Sequence, residues 1–243
     1  MKGIGVAQWK WGSAAVLLVW GCFLGSMARA QAGPPSPTVQ EAPELENQTL
    51  LGVKYNNKYE MYGGPAYSHF NGGPSLVDGT NLGGFDIQGT RWFTPRLGAT
   101  VNLRGYYGTQ AVVPNHYGIS GPFIFEHMGL GGLSIRGPKN QHAALNFHAL
   151  VGASYGIFST ALNPGLVPPQ LGMFNNSFAL ATAMGGSLDL NRSPKIALRL
   201  SPDYLFTNFG GGQQHEVAFS VGILYRFSRG TPGRQPARAG KRK

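Results

Sequence analysis

The stretch Glu216–Phe227, EVAFSVGILYRF, decides the fold of this chain. Every second position is apolar, and these positions are Val217, Phe219, Val221, Ile223, Tyr225 and Phe227. The intervening positions are Glu216, Ala218, Ser220, Gly222, Leu224 and Arg226. A period of two residues is the signature of a β-strand whose two faces differ in chemistry. The apolar face must therefore pack against either a protein core or lipid.

The same alternation recurs along the chain, for example in the stretches 97–107, 143–157 and 195–206. These stretches are longer than the roughly five or six residues of a usual strand in a soluble sheet. Short connections (TPRLG, RGPKNQ and NRSPK) alternate with longer ones at about 71–82, 108–121, 160–177 and 208–215. The pattern predicts eight strands, at roughly 58–70, 83–93, 97–107, 122–136, 142–159, 178–190, 196–207 and 216–227.

Composition favours a β-rich chain with little ordinary wet surface. Charged residues make up 12% of the chain, about half of the usual share in a soluble domain. Glycine, with 37 residues, has about twice its usual share, and aromatic residues reach 12%. A glycine-rich soluble β-sandwich has a similar composition, so composition alone leaves both classes open.

The face opposite the apolar one distinguishes the two classes. It carries small residues with sparse charges of both signs, whereas the wet face of a soluble sandwich carries many Lys and Glu residues. Small residues with few charges suit the narrow interior of a closed eight-stranded barrel, and buried charges need partners there. We predict a lumen charge network, structural rather than conducting, formed by Asp86, Arg104, Glu126, Asp189, Arg199, Asp203, Glu216 and Arg226. A conducting path along these residues is the alternative.

The N-terminal residues predict export. Lys2 and Lys10 precede the apolar stretch WGSAAVLLVWGCFLG, and Ala28 and Ala30 form a small-x-small cleavage pattern. We interpret residues 1–30 as a signal peptide. An uncleaved membrane anchor and a lipoprotein modified at Cys22 are the alternatives. Residues 31–54 are predicted to be a disordered Pro-rich linker, and residues 228–243 a basic disordered tail.

Other functional classes find little support. The net charge of +10 comes mostly from the two ends, since residues 51–227 carry 11 basic and 7 acidic residues. This is not the basic face of a nucleic-acid-binding domain. The six histidines, His69, His116, His127, His142, His148 and His215, show no catalytic or metal-ligand spacing. We expect no enzymatic activity, no metal and no cofactor. A rim site using His69 beside Ser68, or His215 beside Glu216, is the enzymatic alternative.

Two stretches carry a resemblance to a known family. EVAFSVGILYRF resembles the closing strand of outer-membrane β-barrel proteins, whose insertion signal ends in an aromatic residue; Tyr225 and Phe227 correspond to that signal. YGGPAYSHF together with NLGGFDIQGTRWFTPRLGATVNLRGYYG resembles the OmpA-like, porin-family eight-stranded barrels of Gram-negative bacteria. The resemblance covers about 55–227, and this chain departs from it by continuing through residues 228–243.

The sequence thus predicts an all-β, eight-stranded antiparallel up-and-down transmembrane β-barrel over 55–227, located in the outer membrane. The expected role is structural or surface-interacting, with at most a narrow passive solute path. A small porin with a water-filled lumen and a secreted soluble ligand-binding β-barrel are the alternatives. The resemblance implies outer-membrane lipid and the barrel-assembly machinery as partners. We expect a monomer that binds no nucleic acid.

Overall fold

Eight antiparallel strands close into a barrel in the computed structural model, which describes residues 50, 52–76, 79–160 and 165–227. Each strand pairs with its neighbours in sequence, and the first pairs with the last. The strands are β1 (Tyr59–Phe70), β2 (Thr80–Trp92), β3 (Leu97–Thr109), β4 (Phe123–Lys139), β5 (Ala143–Thr160), β6 (Ser177–Asn191), β7 (Ile196–Thr207) and β8 (Gln214–Phe227). The predicted fold class is confirmed, and every predicted strand boundary lies within three residues of the observed one.

The predictions for the chain ends remain untested. The predicted signal peptide 1–30, most of the linker 31–54 and the tail 228–243 lie outside the described residues. The described residues contain two short 3-10 helices, Pro168–Leu171 and Phe209–Gly211. Among these residues, no helix has the length and apolar character needed to cross a bilayer.

Side chains alternate between the inside and the outside of the barrel along every strand. On β8, Phe219 and Ile223 are 43% and 55% exposed, whereas Ser220 and Arg226 are 3% and 1% exposed. The apolar face of EVAFSVGILYRF therefore points outward, and its small and charged face lines the lumen. Many aromatic residues near the strand ends, such as Tyr59, Phe178 and Phe227, also point outward. Trp92 and Phe158 instead have buried side chains, at 6% and 1% exposure.

The seam between β1 and β8 depends on two inward-facing glycines. A Cβ atom on Gly64 would lie within 2.6 Å of the Gly222 Cα, and a Cβ on Gly222 would lie within 2.7 Å of the Gly64 Cα. Such distances do not occur in real structures, so only glycine permits this approach. The recorded β1–β8 partners skip Gly64 and the adjacent Pro65, which has no N–H to donate. This close approach allows the first and last strands to meet at a narrow lumen.

The second short connection lies further along the chain than predicted. RGPKNQ was expected to form the turn, but β4 continues through Lys139 and the turn occupies residues 140–142. The β4–β5 register shifts between Arg136 and Lys139, around Pro138. A proline within a strand is tolerated at such a bulge because no ladder hydrogen bond is lost there. Arg136, the last residue of the predicted fourth strand, therefore lies three residues before the end of β4.

The longer connections fold over the opposite end of the barrel. Hydrogen bonds join these connections to one another. The Phe174 N–H donates to the Gly72 carbonyl (3.0 Å), and the Gly72 N–H donates to the side-chain Oε1 of Gln110 (3.1 Å). They bury an apolar cluster, here called the apolar cap, which includes Phe70, Phe158, Leu171, Met173, Phe174 and Phe209. The ring centroids of Phe158 and Phe209 lie 5.5 Å apart at its centre.

Candidate functional site in the barrel lumen

All eight charged residues that the sequence placed in the lumen lie inside the barrel. None of them is more than 5% exposed. The structure places them in three layers, and adds Glu60, Arg136 and His148, which sequence reasoning did not select. The layers follow one another from the end with the short turns toward the apolar cap.

The first layer, called the basal network, lies nearest the short turns and consists of Glu60, Arg136, Asp189, Arg199 and Arg226. Arg199 Nε and Nη2 donate to the two carboxylate oxygens of Asp189 at 2.6 and 3.0 Å. Arg136 Nη2 donates to Glu60 Oε1 at 2.7 Å. The Glu60 carboxylate also lies 3.7 Å from Arg199 and 3.6 Å from Arg226. One carboxylate thus contacts three arginines.

Two aromatic residues cover the basal network from below. The Arg136 guanidinium carbon lies 3.9 Å from the Trp92 ring centroid, and the Arg226 guanidinium carbon lies 5.0 Å from the Tyr55 ring centroid. The Tyr55 hydroxyl donates to the Asn140 carbonyl at 2.8 Å and accepts from Asn191 Nδ2 at 2.7 Å. Burial raises the pKa of the Tyr55 phenol above its ordinary value, so the hydroxyl stays protonated and can donate this bond at neutral pH.

The middle layer joins Asp86, Arg104, Asp203 and His148. Arg104 Nη2 donates to Asp203 Oδ2 at 2.5 Å, and Arg104 Nε lies 3.7 Å from Asp86 Oδ1. The other Asp203 oxygen lies 2.8 Å from His148 Nε2. Asp86 additionally accepts hydrogen bonds from Gln88, Asn102 and Ser220. Each carboxylate of this layer therefore has both a cationic partner and a further polar partner.

The upper layer contains Glu126 and Glu216, whose side chains are both fully buried in the lumen and interact electrostatically. Hydroxyl groups supply their hydrogen bonds: Ser154 donates to Glu126 at 2.9 Å, and Thr207 donates to Glu216 at 2.9 Å. Within the described residues, neither carboxyl group makes an ion pair. The structure therefore separates these two of the eight predicted charges from the arginine-containing layers.

Side chains fill the lumen from the short turns to the apolar cap. In the lower part they are ion pairs, and in the upper part they are the Glu126–Glu216 layer followed by the aromatic rings of the cap, most of which meet edge to face. This arrangement can hold the strands together and block a wide water-filled path. The closely packed interior is the one expected of eight strands.

The three additional lumen residues differ in whether the sequence contains a pattern that could have predicted their position. Glu60 stands at the start of β1, in phase with the inward positions Tyr62 and Ser68, so alternation alone could have found it. Arg136 was both the last residue of the predicted fourth strand and the first residue of the predicted turn RGPKNQ; it alternates inward with Met128, Leu130 and Ser134, so alternation alone could have found it as well. His148 alternates inward with Asn146 and Ser154, but its contact with Asp203 joins β5 to β7 and has no local sequence signal.

The histidines considered for a rim site do not assemble one. Ser68 points inward and donates to Glu216 at 3.3 Å, whereas His69 points outward and lies 2.9 Å from Asn81 Oδ1. His215 likewise points away from Glu216 and lies 3.1 Å from the Tyr204 hydroxyl. Adjacent residues on a strand face opposite sides, so these neighbouring pairs cannot act on one substrate.

The predicted insertion signal lies on the outside of the barrel. Tyr225 and Phe227 are 37% and 46% exposed, and their ring centroids lie 4.8 Å apart. Phe227 is the last residue of β8 and pairs with Tyr59, the first residue of β1. The signal thus lies at the foot of the closing seam.

Solved structures share this architecture. Neisserial surface protein A aligns with a TM-score of 0.53 and 9% identity, over 70% of this chain and 97% of that one. The outer membrane protein OprG from Pseudomonas aeruginosa aligns with a TM-score of 0.50 and 13% identity, over 72% of this chain and 98% of that one. This chain has the fold of the eight-stranded outer-membrane β-barrels.

A third barrel, the attachment invasion locus protein Ail of Yersinia pestis, aligns with 18% identity and a TM-score of 0.46. The alignment covers 70% of this chain and 99% of Ail. No protein-family model and no curated protein matches the sequence. The likeness to these barrels therefore concerns the fold.

Proposed function

We propose that this protein is an integral outer-membrane barrel with a structural or surface-interaction role and at most a narrow passive solute path. The observation that carries the proposal is the inverted polarity of the barrel. Every acidic side chain in the described residues is buried in the lumen, while large apolar side chains such as Val101, Leu103 and Leu180 are 59–67% exposed. Soluble monomers rarely expose apolar patches beyond a few hundred Å², so lipid is the environment that suits this surface.

The filled lumen favours the structural role over a small porin. The basal network and the middle layer bridge strands that are not neighbours in the barrel, because Arg136 of β4 reaches Glu60 of β1 and Arg104 of β3 reaches Asp203 of β7. The apolar cap closes the other end of the lumen. A water-filled path would require these contacts to open together.

The loop end supports a role in surface contact. Within residues 71–76, 110–122, 165–176 and 208–213 the described loops carry no Asp, Glu, Lys or Arg. An open depression of about 630 Å³ lies there, lined by residues that include Asn71, Pro169, Phe174, Gln213 and His215. Backbone groups, amides and rings at this rim suit a neutral partner. The name of Neisserial surface protein A describes that protein as a surface protein, which is consistent with such a role.

Two measurements on the protein purified in detergent test the proposal. On a gel, the unboiled protein should migrate as a compact, faster band that shifts on boiling, because a closed barrel resists unfolding by the gel detergent. In planar bilayers it should show little or no steady conductance. A large steady conductance would favour the porin alternative. Good solubility in plain buffer without a gel shift would favour a secreted soluble barrel.

The insertion signal gives a further prediction. Phe227→Ala should lower the yield of barrel assembled in the outer membrane more than deletion of residues 228–243 does. The physical reason is that Phe227 forms the outward end of the β1–β8 seam, whereas the deleted residues follow the last strand. The heat-shifted fraction in isolated membranes measures the yield. Equal yields from the two proteins would contradict the assignment of Phe227 to the signal.

A further inference from the structure

Among the described residues, charged side chains on the outside of the barrel lie at one end only. The described residues contain six acidic side chains, all buried in the lumen. Four arginines share that lumen with them. The remaining described cations are all exposed and all lie at the end with the short turns; this set, here called the cationic collar, is Lys54, Lys58, Arg91, Arg96, Lys139, Arg192 and Lys195.

The collar surrounds the barrel rather than forming one patch. Two of its lysines precede β1, Arg91 and Arg96 flank the end of β2, Lys139 ends β4, and two members lie in the β6–β7 turn. The loops at the opposite end carry no charged residue among those described. In the part of the chain that the structure describes, the two ends of the barrel therefore differ in exposed charge.

The contacts of Arg91 place its charge at the level of outward-facing aromatic rings at the short-turn end of the barrel. The Arg91 guanidinium carbon lies 6.0 Å from the Tyr59 ring centroid and 5.5 Å from that of Phe93. Both rings point outward, with 50% and 58% exposure. Aromatic rings at barrel ends lie at the boundary between hydrocarbon and headgroups, and long cationic side chains extend from such positions toward the headgroups. Arg91 therefore reaches the height at which lipid phosphates lie.

The lumen carboxylates do not neutralise the collar. Glu60, Asp86, Asp189 and Asp203 are engaged by the four lumen arginines, and the wall of the barrel separates them from the outside. All six described acidic residues lie in the lumen, so among the described residues no carboxylate lies on the outside of the barrel beside Lys54, Lys58, Arg91, Arg96, Lys139 or Lys195. These six cations distribute positive charge along a circumference. A ring of phosphodiester groups held in a bilayer leaflet matches that shape better than a single compact anion does.

We propose that the cationic collar binds the phosphate headgroups of anionic glycerophospholipids in the leaflet that surrounds the short turns. The inference rests on the proposed membrane insertion of the barrel. Attraction between basic residues and anionic lipid is electrostatic and decreases over a Debye length. The collar thus gives the barrel a preference for anionic lipid at its short-turn end, and added salt weakens that preference.

Spin-labelled lipids test the collar. The purified protein is placed in phosphatidylcholine bilayers that contain spin-labelled phosphatidylglycerol or spin-labelled phosphatidylcholine, and the immobilised fraction of each is measured. We expect phosphatidylglycerol to associate about three-fold more strongly than phosphatidylcholine at low salt. The fourfold variant K58Q/R91Q/K139Q/K195Q should bring the ratio close to one. The matched control K58R/R91K/K139R/K195R keeps every charge and should keep the preference.

Several outcomes would contradict the proposal that the cationic collar binds anionic phospholipid. The proposal is wrong if the wild-type barrel shows no preference for phosphatidylglycerol, or if the preference survives in the fourfold glutamine variant. It is also wrong if soluble glycerol phosphate abolishes the preference at an ionic strength where sodium chloride does not, since the residues would then form a site for a free anion. The gel shift on boiling is recorded for every sample. Its absence would instead indicate failure of the proposed membrane barrel itself.

Discussion

Glu60→Gln is expected to lower the free energy of unfolding by ~3–5 kcal/mol, because it leaves buried arginines without their shared carboxylate. Glu60 accepts a 2.7 Å hydrogen bond from Arg136 and lies within 3.7 Å of both Arg199 and Arg226. After the substitution, Asp189 is the single acid left among the three arginines of the basal network. Their mutual repulsion in the buried lumen is then only partly balanced.

Denaturant unfolding in lipid vesicles measures this effect. Trp92 is a suitable fluorescent reporter, since its ring centroid lies 3.9 Å from the Arg136 guanidinium carbon and the other three tryptophans of the chain lie within residues 1–30. Glu126→Gln is the matched control, with the same chemical change in the upper layer. It should be neutral or stabilising, because a neutral amide costs less to bury than a carboxylate does and the substitution breaks no ion pair among the described residues. Equal losses in the two variants would contradict the division of the lumen into layers.

Val221→Arg is expected to destabilise the barrel by ~2–4 kcal/mol, the cost of placing an arginine on the lipid face near the bilayer midplane. Val221 lies in the middle of β8, on the outward face, and pairs with Leu200 of β7. The same vesicle unfolding measurement applies. A neutral result would argue that this face does not meet lipid.

Val217→Arg provides the depth control for this prediction. Val217 lies on the same face of the same strand, is 58% exposed, and pairs with His69 near the loop end. The cost of an arginine falls to about 0–1 kcal/mol near the interface. A loss in Val217→Arg as large as in Val221→Arg would contradict the assigned depth of β8 in the bilayer.

The fold was predictable because the alternation of residue types along a single strand shows the environment of each of its two faces. This pattern can be read without knowing which strands lie beside it. In EVAFSVGILYRF the apolar set and the small or charged set are separated by a strict period of two, and the structure turns these sets outward and inward as expected. Alternating short and long connections then required an up-and-down order, which the neighbour-to-neighbour pairing confirms. The end of β4 was predicted three residues too early, because a proline within a strand resembles a turn unless the bulge is known.

The sequence predicted most of the charged residues that lie in the lumen, but not which of them contact one another. Inward alternation places Glu216 and Arg226 in the lumen, yet only the closed barrel shows that Arg226 lies near Glu60 while Glu216 lies near Glu126. These partners are far apart in the chain. The curvature and stagger of the strands determine at which level along the barrel axis each side chain lies. The sequence by itself determined the barrel and the facing of its residues, since alternation is a local property. The tertiary structure decided which charges meet, because ion pairing across a lumen depends on the distance between opposite walls.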